Sequence, residues 1–114
     1  WYRDSGLKSA YRVESPEAIA KIFTIVNDTN SANGILLCNP IPKKFSMEQS
    51  YLEPLIASGV VELKKANITG KKLTPSLLRY LVQKTSGETL HSNIELVKNN
   101  AILGAKVAKA LSAA

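Results

Sequence analysis

Asn93 and Asn100 are seven positions apart in residues 90–111. On a helix both flank Val97 and face nearly the same way. Around them apolar or small residues recur at Leu90, Ile94, Val97, Ala101, Gly104, Ala108 and Leu111, the alternating four-and-three spacing of an amphipathic helix. The amides interrupt that stripe. A buried amide without a partner costs about 1–3 kcal/mol, so each Asn either bonds nearby backbone, the commoner outcome, or reaches a ligand.

Other reactive side chains are sparse. His91 and Glu95 are four apart and could both touch a metal, but an exposed helix pair is the commoner use of that spacing. One His and one Cys do not make a zinc site. Cys38 has no His or acid near it in sequence and reads as a small buried residue. There is no phosphate-cradling glycine loop or dinucleotide fingerprint, no nucleophile elbow, and no pair of carboxylates spaced for acid–base work.

The 114 residues suffice for one domain with a core. With 45% hydrophobic and 21% charged residues the composition is that of a soluble globular protein. No apolar run approaches a membrane span, and no signal peptide is visible at the start. A single cysteine excludes an internal disulfide, making a reducing, intracellular compartment the default. The chain opens on Trp1 rather than Met, which suggests a piece of something longer. The net charge is +6. Its lysine dyads, Lys43-Lys44, Lys64-Lys65 and Lys71-Lys72, read as scattered, solvated surface with few aromatics to stack on bases.

The positioning elements follow from local signals. Asp4-Ser5-Gly6 is turn chemistry, and Arg3 and Asp4 have local pairing partners in each other or in nearby backbone. Tyr11-Arg12-Val13 can be a short strand. Ser15-Pro16-Glu17 is a cap, a first-turn proline and an acid at the positive helix end; Ile19, Ile22, Phe23 and Val26 form that helix's expected buried face. Residues 34–38, Gly-Ile-Leu-Leu-Cys, read as a strand covered on both sides. Asn39-Pro40-Ile41-Pro42 leaves it as a rigid extended loop, at the strand end where α/β proteins place ligands. Pro54 places the start of the next helix at about Tyr51, with Leu52, Leu55, Ile56, Gly59, Val60 and Leu63 facing the core. Thr74-Pro75 opens a third helix by cap-then-proline logic, with Leu77, Leu78, Leu81 and Val82 inward. Ser86-Gly87 stops it, and the long final helix follows. One clear strand and four helices cannot close a sheet alone, so the strand requires partners from elsewhere.

Four stretches together resemble the pseudouridine-5′-phosphate glycosidase (indigoidine synthase A-like) family. They are Asn39-Pro40-Ile41-Pro42; Gly70-Lys71 with Thr74-Pro75 and Leu77-Leu78; Thr85-x-Gly87-x-x-Leu90; and Asn93-Ile94-x-Leu96-Val97-x-Asn99-Asn100-Ala101. Arg3-Asp4-Ser5-Gly6 fits as well. The chain departs from the family pattern at Tyr2 (usually Ser or Thr), Ser76 (usually aromatic) and Ser86 (usually Gly).

The resemblance implies an α/β fold class: a helix-rich C-terminal segment of a three-layer α/β/α fold, about four helices and one or two strands. Residues 1–114 would be the C-terminal part of a single glycosidase domain and not a complete domain. The implied activity is reversible cleavage of the C–C bond of pseudouridine 5′-phosphate to uracil and ribose 5-phosphate. It would run through a lysine Schiff base, with a general-acid glutamate and a divalent metal, manganese, all held outside this segment. Asn93 matches the family's substrate-site asparagine near the uracil, where an amide can donate and accept together; Asn99 and Asn100 are read as structural. The implied partners are the missing N-terminal portion, the nucleotide substrate and further copies in a homotrimer, with no membrane or nucleic acid, in the cytoplasm. Ile102, on the side of Glu95 and Lys98, is a candidate subunit contact. The alternative from another class is a basic, non-catalytic module that binds RNA or an acidic partner; a third reading is an interaction subunit that completes a partner chain's sheet.

Overall fold

The computed structural model describes residues 1–113. It contains α1 (Pro16–Asp28), α2 (Gln49–Lys65), α3 (Leu73–Lys84) and α4 (Glu88–Ser112), with single 3₁₀ turns at Lys43–Phe45 and Gly70–Lys72. The four expected helices are present. Among the described residues there is no strand. Residues 34–38 are irregular and exposed, and Cys38, expected to be buried, is exposed too. The physical reason is that a strand exists only by pairing, and no second strand lies among the described residues. Tyr11-Arg12-Val13 is likewise irregular; Arg12 instead pairs with Glu14 at 2.6 Å on the open surface.

The chain divides into two compact units. The first joins Trp1–Arg3 to Ile41–Leu96. Its buried centre is formed by Ile41, Leu52 and Leu81, with the hydroxyl residues Thr85, Thr89 and Ser92. In it α2 packs on α3, and Gly59 permits the approach. A Cβ on Gly59 would stand 2.7 Å from Tyr80 Cδ1 and 2.8 Å from Leu77 Cδ1. The start of α2 is Gln49, two residues before the expected Tyr51, so Pro54 lies inside the helix. Glu48 O holds that first turn by accepting from both Tyr51 N and Leu52 N.

Thr74 does not cap α3. The 3₁₀ turn Gly70–Lys72 runs straight into the helix, making Lys72 the cap position, without a side-chain cap bond. Pro75 still falls in the first turn, where its missing N–H leaves no helical bond unmade. The ends of α2 and α3 share one geometry. After α2, Asn67 has φ 58°, Asn67 N donates to Lys64 O and Ile68 N donates to Leu63 O. After α3, Ser86 has φ 51°, Ser86 N donates to Gln83 O and Gly87 N donates to Val82 O. Both are Schellman caps, whose left-handed residue is most often Gly.

The second unit holds Asp4–Pro40 and the chain from Val97 on. Ser15 caps α1 as expected, its Oγ accepting from Ala18 N. The expected buried face of α1 is largely uncovered: Ile22 and Phe23 are exposed, and Ala20 is the buried residue.

The final helix corrects the sequence reading more sharply. Leu90, Ile94 and Val97 of the expected core stripe are 49%, 44% and 59% exposed. The covered face lies one residue earlier in each turn. Thr89 is buried and Asn93, Leu96, Leu103, Val107 and Ala110 are half-buried. That is a rotation of about 100° on a 3.6-residue helix. Asn93 and the half-buried Asn99 therefore belong to the face the chain covers, Asn100 is exposed, and the aliphatic stripe is a second face.

Candidate functional site

The N-terminal part of α4 is held by buried hydroxyl groups in the first unit. Thr85 Oγ1 donates to Leu81 O at 2.7 Å and accepts from Thr89 N at 3.2 Å. Its one proton is then committed, so in the 3.1 Å contact between the two threonine hydroxyls Thr89 Oγ1 is the donor. Ser92 Oγ donates to Phe45 O at 3.0 Å, tying α4 to the 3₁₀ turn Lys43–Phe45. His91 meets the Phe45 ring edge-on at 5.7 Å, and Lys44 Nζ lies 4.7 Å over the same ring. His91 thus serves aromatic packing. Among the described residues no three His, Cys, Asp or Glu side chains gather to hold a metal.

Ahead of that turn, Arg3 Nη1 donates to Ile41 O at 2.6 Å and Met47 N donates to Trp1 O at 2.8 Å. Arg3 is thereby a clamp on backbone. Asp4 Oδ1 accepts from Gly6 N at 2.8 Å, with Gly6 at φ 75°; this is the expected turn.

The three asparagines of α4 have different surroundings. Asn99 Nδ2 reaches Pro40 O at 3.5 Å, and Asn39 Nδ2 donates to Asn100 Oδ1 at 3.0 Å. Both therefore anchor the loop that begins at Asn39, the structural use expected of them. Asn93, beside Ser92, is half-buried. Its amide has no hydrogen-bond partner among the described residues, and it is the one of the three with both donor and acceptor open. The buried trio Thr85, Thr89 and Ser92 was not singled out from sequence. Its signal was the four-and-three spacing of hydroxyl residues across the α3–α4 link, Thr85 standing at the end of α3 and Thr89 and Ser92 on α4.

The sequence profile described as indigoidine synthase A like protein matches residues 1–110. The chain belongs to this family. Curated relatives agree. The chain is 46% identical over 107 residues to the pseudouridine-5′-phosphate glycosidase of Petrotoga mobilis, covering 94% of this chain and 35% of that protein. It is 44% identical over 110 residues to the enzyme of the same name from Staphylococcus aureus, covering 96% and 36%. It thus spans about a third of the length of the curated relatives it matches. Among solved structures, the prealnumycin C-glycosynthase AlnA, crystallised with ribulose 5-phosphate, superposes with a TM-score of 0.85 at 20% identity, over 98% of this chain and 37% of that one. At that identity the likeness concerns the fold. Ser86 has φ 51°, where glycine is the unstrained residue.

Proposed function

We propose that this chain is the C-terminal part of a pseudouridine-5′-phosphate glycosidase, and that Asn93 contributes to its uracil-binding wall. The carrying observation is the family match along residues 1–110, with relatives of that name at up to 46% identity. The open, half-buried amide of Asn93 supports the placement. Its Nδ2 can donate to a uracil carbonyl while Oδ1 accepts from a ring N–H. A donor on that carbonyl also favours any negative charge the base gathers as its bond to the sugar changes. The Schiff-base lysine, the general acid and manganese belong outside this segment. Among the described residues no three His, Cys, Asp or Glu side chains form a metal donor set.

The remainder of the domain also has a place to dock. α4 is covered along Thr89, Asn93, Leu96 and Leu103 but carries the exposed apolar stripe of Leu90, Ile94 and Val97. A helix apolar on two sides suits an internal layer, and residues 34–38, with Leu36 89% exposed, suit a strand in the central sheet of a three-layer α/β/α domain. The assembled enzyme is a cytoplasmic homotrimer in this reading. Among the described residues, no helix is long and apolar enough to cross a membrane. The test is uracil release from pseudouridine 5′-phosphate, with manganese, by the complete polypeptide carrying this chain. Release supports the reading; a folded polypeptide that releases none removes it.

A further inference from the structure

Asn93 is held by no hydrogen bond from the described residues. Within this chain, the place of its amide is therefore set by the helix that carries it. Recognition of a ligand tolerates displacements of only about 0.5 Å and 10–20°, whereas one residue along a helix turns the face by about 100°. The height and the rotation of α4 must both be fixed at this point.

Two buried attachments in the first unit bear on them. Thr89, one turn before Asn93, is joined to Thr85 through their hydroxyl groups. Thr85 stands at the end of α3, close in sequence to Thr89, so that attachment settles where the helix begins. Ser92 reaches further. It is 2% exposed, and its Oγ donates to Phe45 O across 47 positions of sequence. A serine inside a helix can spend its proton on the carbonyl one turn before it; here the proton leaves the helix. Its neighbour His91 meets the ring of the same Phe45 edge-on. One residue of the 3₁₀ turn thus receives two consecutive side chains of α4.

That turn is itself tied down. Phe45 N donates to Pro42 O at 2.9 Å, Ser46 N to Lys43 O at 3.2 Å and Met47 N to Trp1 O at 2.8 Å, and Ile41 just ahead of it is buried. All of these partners lie in the first unit. Thr89, Ser92 and Asn93 stand at i, i+3 and i+4, on one side of the helix, so the Ser92 bond acts on the side from which Asn93 projects.

We infer, given the base-pocket placement of Asn93 proposed above, that Ser92 is a positioning residue for uracil recognition. Its bond to Phe45 O sets the height and rotation of α4 at which the Asn93 amide meets the base. Ser92 acts through Asn93 and not on the base, since its proton is committed to Phe45 O.

The experiment is a double-mutant cycle on uracil release from pseudouridine 5′-phosphate by the complete polypeptide, with Ser92→Ala, Asn93→Ala and the pair. Ser92→Ala is expected to lower kcat/KM about 3- to 10-fold, divided between kcat and KM as the Asn93→Ala loss is. In the Asn93→Ala background it causes no further fall. Ser92→Cys, which keeps a weak donor, falls between the parent and Ser92→Ala, and it serves the same comparison if the alanine variant does not fold. A Ser92 that only stabilises the fold lowers kcat by the same factor in both backgrounds at unchanged KM, and that result overturns the inference. So does parental kcat/KM in Ser92→Ala while Asn93→Ala is impaired, which leaves the base-pocket placement standing. Parental activity in Asn93→Ala removes that placement and the inference with it.

Discussion

Asn39 Nδ2 donates to Asn100 Oδ1 across 3.0 Å, joining residues 61 positions apart in sequence. With the 3.5 Å contact from Asn99 to Pro40 O, it fixes the start of the Asn39-Pro40-Ile41-Pro42 loop to α4. Replacing Asn100 by Leu removes the acceptor. Because Asn100 is exposed, water can satisfy Asn39 afterwards, so the expected cost is about 0.5–1.5 kcal/mol. Urea unfolding of the complete polypeptide measures it, and an unchanged midpoint would mean that the bond does not hold the loop.

Ser86 holds a left-handed conformation at φ 51°, where a side chain costs about 1–2 kcal/mol in helix-forming L-residues. Ser86→Gly relieves that strain but adds freedom to the unfolded chain. The net expectation is a gain of up to about 1 kcal/mol, read as a higher urea midpoint at unchanged slope. Ser86→Val should lower the midpoint, since a β-branched residue tolerates positive φ least.

Gly59 lies under Tyr80 and Leu77 at distances no Cβ can share. Gly59→Ala therefore forces α2 and α3 apart or turns both side chains. Overpacking costs about 1–3 kcal/mol, partly offset by alanine's better helix propensity of about 1 kcal/mol. The prediction is net destabilisation, partly relieved when Tyr80 is also shortened to Ala, which removes the Cδ1 and Cε1 atoms that a Cβ at position 59 would meet. A double-mutant cycle with no coupling would contradict the close approach.

Ile102 is 55% exposed on α4. If this face joins subunits, Ile102→Glu places a charge in an apolar contact and dissociates the oligomer. Native mass spectrometry of the complete polypeptide decides: a shift to monomer is expected, and an unchanged mass removes Ile102 from the interface.

The parts legible in sequence are those whose hydrogen bonds are local. Ser15 capped α1, and Ser86-Gly87 ended α3, because caps and turns are settled within a few residues. Residues 34–38 were legible as apolar, but not as irregular, since a strand depends on a neighbour that composition does not reveal. Periodicity found an apolar stripe on α4 and could not say that the chain covers the adjacent face. The same limit applied to the site. Asn93 stood out as an amide in an apolar pattern, whereas its difference from Asn100 rests on Asn39, a residue far away in sequence.

The central claim is that this chain supplies a base-reading amide, and it is tested by uracil release from pseudouridine 5′-phosphate by the complete polypeptide and its Asn93→Ala variant. Loss of a hydrogen bond to a buried base, about 1–3 kcal/mol, predicts that kcat/KM falls about 5- to 150-fold, with the urea midpoint nearly unchanged because Asn93 has no protein partner to lose among the described residues. A variant as active as its parent would contradict the claim and leave Asn93 outside the substrate site.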